Sequence, residues 1–189
     1  SLCFFVSVQI LYDYPNGIPD IPKGNDFLLR DSILGTIVNF KFHGLPTGEE
    51  KLLSSSIENE IEFVRILNEE RIKKGLKVLV INENLCKAAR YHSYDMATEL
   101  YFTHYSQDFG SFSIKTFDRI NQFTGPNPGY TQSENIAAGN ASPQKTYIQW
   151  FNSRTGHKEN MFGNWTEIGI GYIKIPGSKY THYWTTDFR

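Results

Sequence analysis

From Ile57 onward the apolar positions recur with a helical period: Ile57, Ile61, Val64, Leu67 and Arg71 fall on one stripe, and Gly75 after Lys73 and Lys74 supplies a stop. This predicts a first helix. A second is predicted from Asn82 to Leu100, with Leu85, Ala88, Ala89, His92 and Met96 on one face. A third, shorter helix is expected over Ser113–Phe123, ended by the Gly125-Pro126-Asn127-Pro128-Gly129 cluster and followed by a long loop. Ser142 before Pro143 reads as an N-cap with proline at the first helical position, opening a fourth helix whose Tyr147, Ile148, Trp150 and Phe151 face the core, with Gly156 beyond its end. The period then shortens to two. Ile168, Ile170 and Tyr172 alternate as one strand, Gly177-Ser178 turns, and Tyr180, His182, Trp184, Thr186 and Phe188 alternate as its partner.

The first fifty or so residues follow another pattern. Phe4–Tyr14 and Ile33–Phe42 are β-prone, Pro15-Asn16-Gly17 is a turn signal, and Pro19–Asn25 is a loop rich in proline and glycine. The expected organisation is a β-rich extension over residues 1–52 packed on a main domain over residues 53–189.

Composition adds limits. Apolar residues at 40% against 21% charged are enough to offset the entropy of ordering, so the chain should be globular. The 19 basic and 20 acidic side chains are interspersed, which argues against nucleic-acid binding. Cys3 and Cys86 are the only cysteines, so at most one intrachain disulfide can form; Cys86 reads as a small apolar group on a helix face. The apolar start, Ser1–Val8, is compatible with a signal-peptide remnant or a lipidated Cys3, but a buried strand is favoured because no basic leader or clear cleavage site accompanies it. No stretch reaches the roughly 18 apolar residues that span a bilayer, so any membrane link should be an anchor.

An ordered set of short motifs then carries a resemblance. Leu67-Asn68-Glu69-Glu70-Arg71 is followed by Leu85, Ala88, His92 and Asp95-Met96-Ala97, then Phe102-Thr103-His104, then Ser133-Glu134-Asn135-Ile136-Ala137-Ala138-Gly139. Trp150-Phe151-Asn152-Ser153 precedes Gly156-His157-Lys158-Glu159-Asn160, and Glu167-Ile168-Gly169-Ile170-Gly171 and Tyr183-Trp184-Thr185 close the series. Over about 130 residues this resembles bacterial CAP domains, relatives of the cysteine-rich secretory proteins, antigen 5 and plant pathogenesis-related proteins. The resemblance implies an α+β fold, a three-layer α-β-α sandwich with a small antiparallel sheet, in a secreted or surface-displayed protein. It also implies a cleft formed by His104, Glu134 and His157, with Ser153 and Asn135 as neighbours, and a structural role for Asn68, Arg71, Trp150 and Asn160.

Two imidazoles and a carboxylate suit zinc or another divalent cation, with a fourth coordination position left open. Such an ion is not expected to be needed for folding. Many eukaryotic relatives carry a second glutamate where this chain has Ser153, so Glu134 lacks an evident second carboxylate with which to divide acid and base roles. Bland readings stand beside each residue. Glu134 could accept loop N–H groups, His104 could bond a carbonyl, and His157 could be held by a helix-end dipole. His92 on its helix face and His182 on its strand read as packed residues, His43 is isolated, and neither Ser106 nor Ser133 sits in a nucleophile turn. Asn140-Ala141-Ser142 and Asn164-Trp165-Thr166 are formal sequons that a bacterial protein would leave bare.

Three function classes follow. A non-catalytic extracellular binding module is favoured, most simply as a monomer meeting an extracellular protein or lipid partner. A metal-dependent, peptidase-like hydrolase using the same cleft and a lipid or sterol carrier are the alternatives.

Overall fold

The computed structural model describes residues 45–50, 52–108, 112–126 and 132–189, all within the unit Val38–Arg189. The expected strands Phe4–Tyr14 and Ile33–Phe42, the turn and loop between them, Cys3 and His43 lie outside the described residues.

Helix α1, Ile57–Lys73, begins at Ser56, whose side chain accepts the Asn59 N–H, and ends where Gly75 takes a φ of 71° that β-carbon-bearing residues resist. Its buried stripe keeps the expected Val64, Leu67 and Arg71 and adds Glu60, Phe63 and Asn68, while Ile57 and Ile61 are only half-buried. Strand β1, Val80–Ile81, leads directly to α2, Glu83–Thr98, capped by the Asn82 side chain, which accepts from the N–H groups of Asn84 and Leu85. The next expected helix starts later than its predicted bounds. Phe112–Ile114 is instead strand β3, paired with β2, Ser106–Asp108, in a small antiparallel ribbon, and α3 runs Thr116–Thr124 after the extended Lys115.

The predicted long loop contains strand β4, Ser133–Ala138. Helix α4, Pro143–Phe151, is capped by Ser142 as expected, yet Ile148 points to solvent, and Pro143, Thr146 and Trp150 form the buried face. A further short helix, α5, spans His157–Met161, and the closing hairpin is β5, Glu167–Lys174, with β6, His182–Phe188.

The main sheet has the order β1-β5-β6-β4. It is antiparallel except for the two-residue β1, which runs parallel to β5. Ile168, Ile170, Tyr172, Trp184 and Phe188 face α1 and α4, packing on Phe63, Val64, Leu67 and Trp150, and the other face carries α2 with α3 against it. This is the three-layer α-β-α arrangement, and its central helix fits because Gly169 and Gly171 leave room. A β-carbon on Gly169 would stand 2.2 Å from the Leu85 backbone, and one on Gly171 2.3 Å from Arg90 N.

Both open sheet edges are closed by side chains. Where β1 runs out, the Tyr172 N–H donates to Glu60 at 2.8 Å, the Ile170 N–H to the Cys86 sulfur at 3.4 Å, and the Lys174 N–H to the Ser55 hydroxyl at 2.8 Å. Along β4, the Trp150 indole donates to the Ile136 carbonyl at 2.9 Å and the Asn160 amide to the Glu134 carbonyl at 3.2 Å. Glu60 in turn holds Arg90 at 2.7 Å in a buried pair that joins α1 to α2.

Asn68 and Arg71 supply the remaining ties. The Asn68 amide bonds both the N–H and the carbonyl of Leu79, at 2.8 and 3.0 Å. Arg71 donates to the carbonyls of Lys77, Met161 and Gly163 at 2.8–3.0 Å, anchoring the chain after α5. Buried Cys86 fits its apolar reading, and burial lifts its thiol to about 12, which leaves it chemically inert. Gly169→Ala should lower stability by roughly 1–3 kcal/mol through forced separation of α2 from β5, measured by urea unfolding. An unchanged midpoint would show that the helix does not sit that close.

Candidate functional site

The head of β4 carries Glu134 on the face that looks toward α2. Both of its oxygens are engaged: one accepts from His104 Nδ1 at 2.9 Å, the other from the Arg119 guanidinium. Arg119, on α3, has no solvent exposure, and the Glu134 side chain is 2% exposed. Arg119 also donates to the His104 carbonyl at 3.1 Å and to the Ser106 hydroxyl at 3.0 Å, and Thr116 donates to the same carbonyl at 2.8 Å. One guanidinium therefore fixes both the glutamate and the loop that bears the histidine.

Behind this pair lies His92 of α2, fully buried, with Nε2 on the Thr103 carbonyl at 2.9 Å and 3.9 Å from Glu134. The packed histidine expected from the sequence is thus also part of the site's floor. Burial, then the charge of Arg119, holds its imidazole down to about 3, so it is neutral at physiological pH. Tyr101 bridges His92 to Asp95, donating to the carboxylate at 2.5 Å.

Asp187 is the second carboxylate that sequence reasoning did not find. It stands directly opposite Glu134 in the β4–β6 register and is completely buried. Its two oxygens have no hydrogen-bond partner, and burial followed by the charge of Glu134 raises it well above the ordinary carboxylate range against the opposing charge of Arg119. Glu134 itself, despite burial, is lowered by Arg119, His92 and His104. Two adjacent carboxyl groups are thereby pushed in opposite directions.

His104 is half-exposed, 47% for its side chain, and opens onto a cleft of about 620 Å³ lined by Thr103–Tyr105, Lys115–Phe117 and Gln132–Glu134. His157 lies apart from that lining. It opens α5 after Gly156, so the helix terminus beside it is the positive one, and the expected cation-favouring dipole is reversed. Its Nδ1 shares hydrogen bonds with Ser153 at 2.7 Å and Thr155 at 3.2 Å, and its ring stacks on Trp150 with centroids 6.4 Å apart. Burial, then the charge of His104, lowers its pKa. The Asn135 amide holds the His157 carbonyl at 3.0 Å and accepts from Asn160 at 2.8 Å, tying α5 to β4. Glu159 is exposed, and His182 packs flat on Tyr172. Among the described residues no group of three or more His, Cys, Asp or Glu side chains is arranged to hold a metal ion.

The fold and these residues define a three-layer sandwich with a histidine–glutamate cleft at the open end of its sheet. The chain belongs to the cysteine-rich secretory protein (CAP) family, whose model matches residues 64–188. It is 40% identical over 137 residues to the uncharacterized protein YkwD of Bacillus subtilis (strain 168), a match that takes in 71% of this chain and 48% of that one. The chain spans about half that relative's length. Among solved structures, an extracellular protein of Bacillus anthracis containing an SCP domain matches with a TM-score of 0.57 at 25% identity, over 69% of this chain and 40% of the other. An outer surface protein of Borrelia burgdorferi has the same fold, with a TM-score of 0.58 at 22% identity over 70% of this chain and 92% of that one. No helix among the described residues is long and apolar enough to cross a membrane.

Replacing Arg119 with Met should cost roughly 3–5 kcal/mol, because Glu134 is left buried without its counter-charge. Adding Glu134→Gln should recover part of that loss. Urea unfolding of the two variants checks this, and a double variant no more stable than the single would refute the pairing.

Proposed function

We propose that this chain acts as an extracellular, non-catalytic binding module that receives a small organic ligand or a peptide segment in the cleft beside His104. Extracellular placement is supported by what the Bacillus anthracis and Borrelia burgdorferi proteins are. The observation that carries the binding reading is the state of Glu134: its charge is already balanced by a buried arginine, and its second oxygen is taken by His104. A divalent ion entering here would have to displace a guanidinium or lie beside it, and both are electrostatically unfavourable. His157, the third expected donor, bonds Ser153 and Thr155 through Nδ1, which by itself does not weigh against coordination through Nε2.

The same facts weigh against a metal-dependent hydrolase, because water activation needs a cation close to the base. The lipid-carrier reading draws on the aromatic residues, but Phe63, Trp150, Tyr183, Trp184 and Phe188 are all completely buried in the core. What remains at the cleft is a short aromatic rim, Tyr105 and Phe117, suited to one side chain.

Calorimetric titration of zinc into the wild-type chain and into a His104→Ala, His157→Ala double variant tests this reading. Equal, featureless heats are expected from both. A one-site isotherm in the wild type that disappears in the variant would replace the organic ligand with a metal centre.

A further inference from the structure

Where β6 runs beside β4, two carboxyl groups stand on one face of the sheet. Asp187 and Glu134 are directly opposite in the register, which puts their β-carbons about 4.5–5.5 Å apart, and both are buried. No N–H or O–H donor among the described residues reaches either oxygen of Asp187. The polar side chain it meets is Glu134, so an acceptor faces an acceptor out of contact with water. A carboxylate left in that condition would bear the full desolvation of its charge, an arrangement that folded proteins avoid.

The elements packed around Asp187 do not supply a second counter-charge. On the β5 side its register partner is Gly169, which has no side chain. From α3 comes Arg119, whose guanidinium is in ion-pair contact with Glu134 and makes no such contact with Asp187. From α2 comes His92, 3.9 Å from Glu134 and neutral at physiological pH. His104 reaches Glu134 through Nδ1 from the loop after α2. Two carboxyl groups beside one guanidinium balance in a dry cluster when one of them is the neutral acid. Arg119 and His104 occupy the two oxygens of Glu134, which makes Glu134 the ionised member and leaves the proton to Asp187. The pKa shifts run the same way: burial and then the charge of Glu134 push Asp187 up, whereas Glu134, despite burial, is lowered by Arg119.

We propose that Asp187 is a positioning residue that carries a proton at physiological pH and donates it to Glu134. The carboxylate beneath His104 then has one donor from each of three elements, α3, the His104 loop and β6, and its orientation toward the imidazole is set by all three. A protonated carboxyl has one O–H to give, and each carboxylate oxygen has a second lone pair to receive it. This role is independent of what the cleft receives.

The test joins carbon-13 NMR of the side-chain carboxyls in the full 189-residue chain, with a chelator present, to unfolding of Asp187→Asn at a series of pH values. At neutral pH Asp187 should resonate as a carboxylic acid and Glu134 as a carboxylate. Because the folded-state pKa of Asp187 is raised, its contribution to wild-type stability is complete below the ordinary aspartate range and is lost as the pH rises toward the folded value. Asparagine is neutral at every pH and can still donate. The folding constant of Asp187→Asn relative to wild type should therefore grow by up to about tenfold per pH unit across that window. Asp187→Leu, which removes the donor, should move the His104 ring resonances, and Asp187→Asn should leave them in place; if the leucine variant does not fold, the pH profile of the asparagine variant still decides. An ionised Asp187 at neutral pH, as a water sealed between it and the unpartnered Arg119 Nε would leave it, would overturn the proposal. So would a ratio of folding constants that is flat in pH, or His104 resonances that respond alike to both variants.

Discussion

A guanidinium with no exposure to solvent meets a carboxylate almost as deeply withdrawn where α3 crosses the head of β4, and the rest of the cleft is organised around that contact. Arg119 holds Glu134 and, through the His104 carbonyl and the Ser106 hydroxyl, also the loop and the ribbon strand beside it. Desolvating two charges is costly, and the pair is tolerable because each has further polar partners. His104 is that partner for the carboxylate. The consequence is chemical as well as structural. A glutamate in this state is a weak base and a firm support for an imidazole that faces the cleft.

A second constraint is the narrowness of the sheet. With four strands and one of them only two residues long, most of its edge would lie open. Glu60, Ser55 and Cys86 close one side and Trp150 and Asn160 the other, so residues of quite different chemistry share one task. This explains why a glutamate occupies the inward stripe of α1, where periodicity alone would place an apolar group; Asn68 on the same stripe is held by the Leu79 backbone. It also links edge closure to the cleft, because Asn160 braces the Glu134 carbonyl and, through Asn135, the start of α5.

Much of the frame was legible from the sequence. The Ser142 cap acts locally and was readable where it stood, as was the closing hairpin with its alternation. Strand β4 was not, because Ser133-Glu134-Asn135 is polar and Ile136-Ala137-Ala138 apolar, a block pattern with no period of two. The ribbon of β2 and β3 was hidden for a different reason, since Ser113 and Ile114 continue a helical period that a cross-strand register overrides. At the site, the family motifs pointed to His104 and Glu134, which do meet. Arg119 and Asp187 carry no local signature. Their importance arises from strand register and helix packing, although an arginine within an otherwise amphipathic short helix was a signal available in the sequence.

The ionisation of Glu134 measures the central contact most directly. Held by Arg119, its carboxylate should stay charged as the pH falls past the ordinary 4.5, and the stability it confers is present above that value and lost only as the lower, folded-state pKa is crossed. Carbon-13 NMR of the Glu134 side-chain carboxyl across an acid titration would follow this one group. A midpoint clearly below 4.5 is expected; a midpoint at or above it would mean that burial outweighs the arginine and that the ion pair does not organise the cleft.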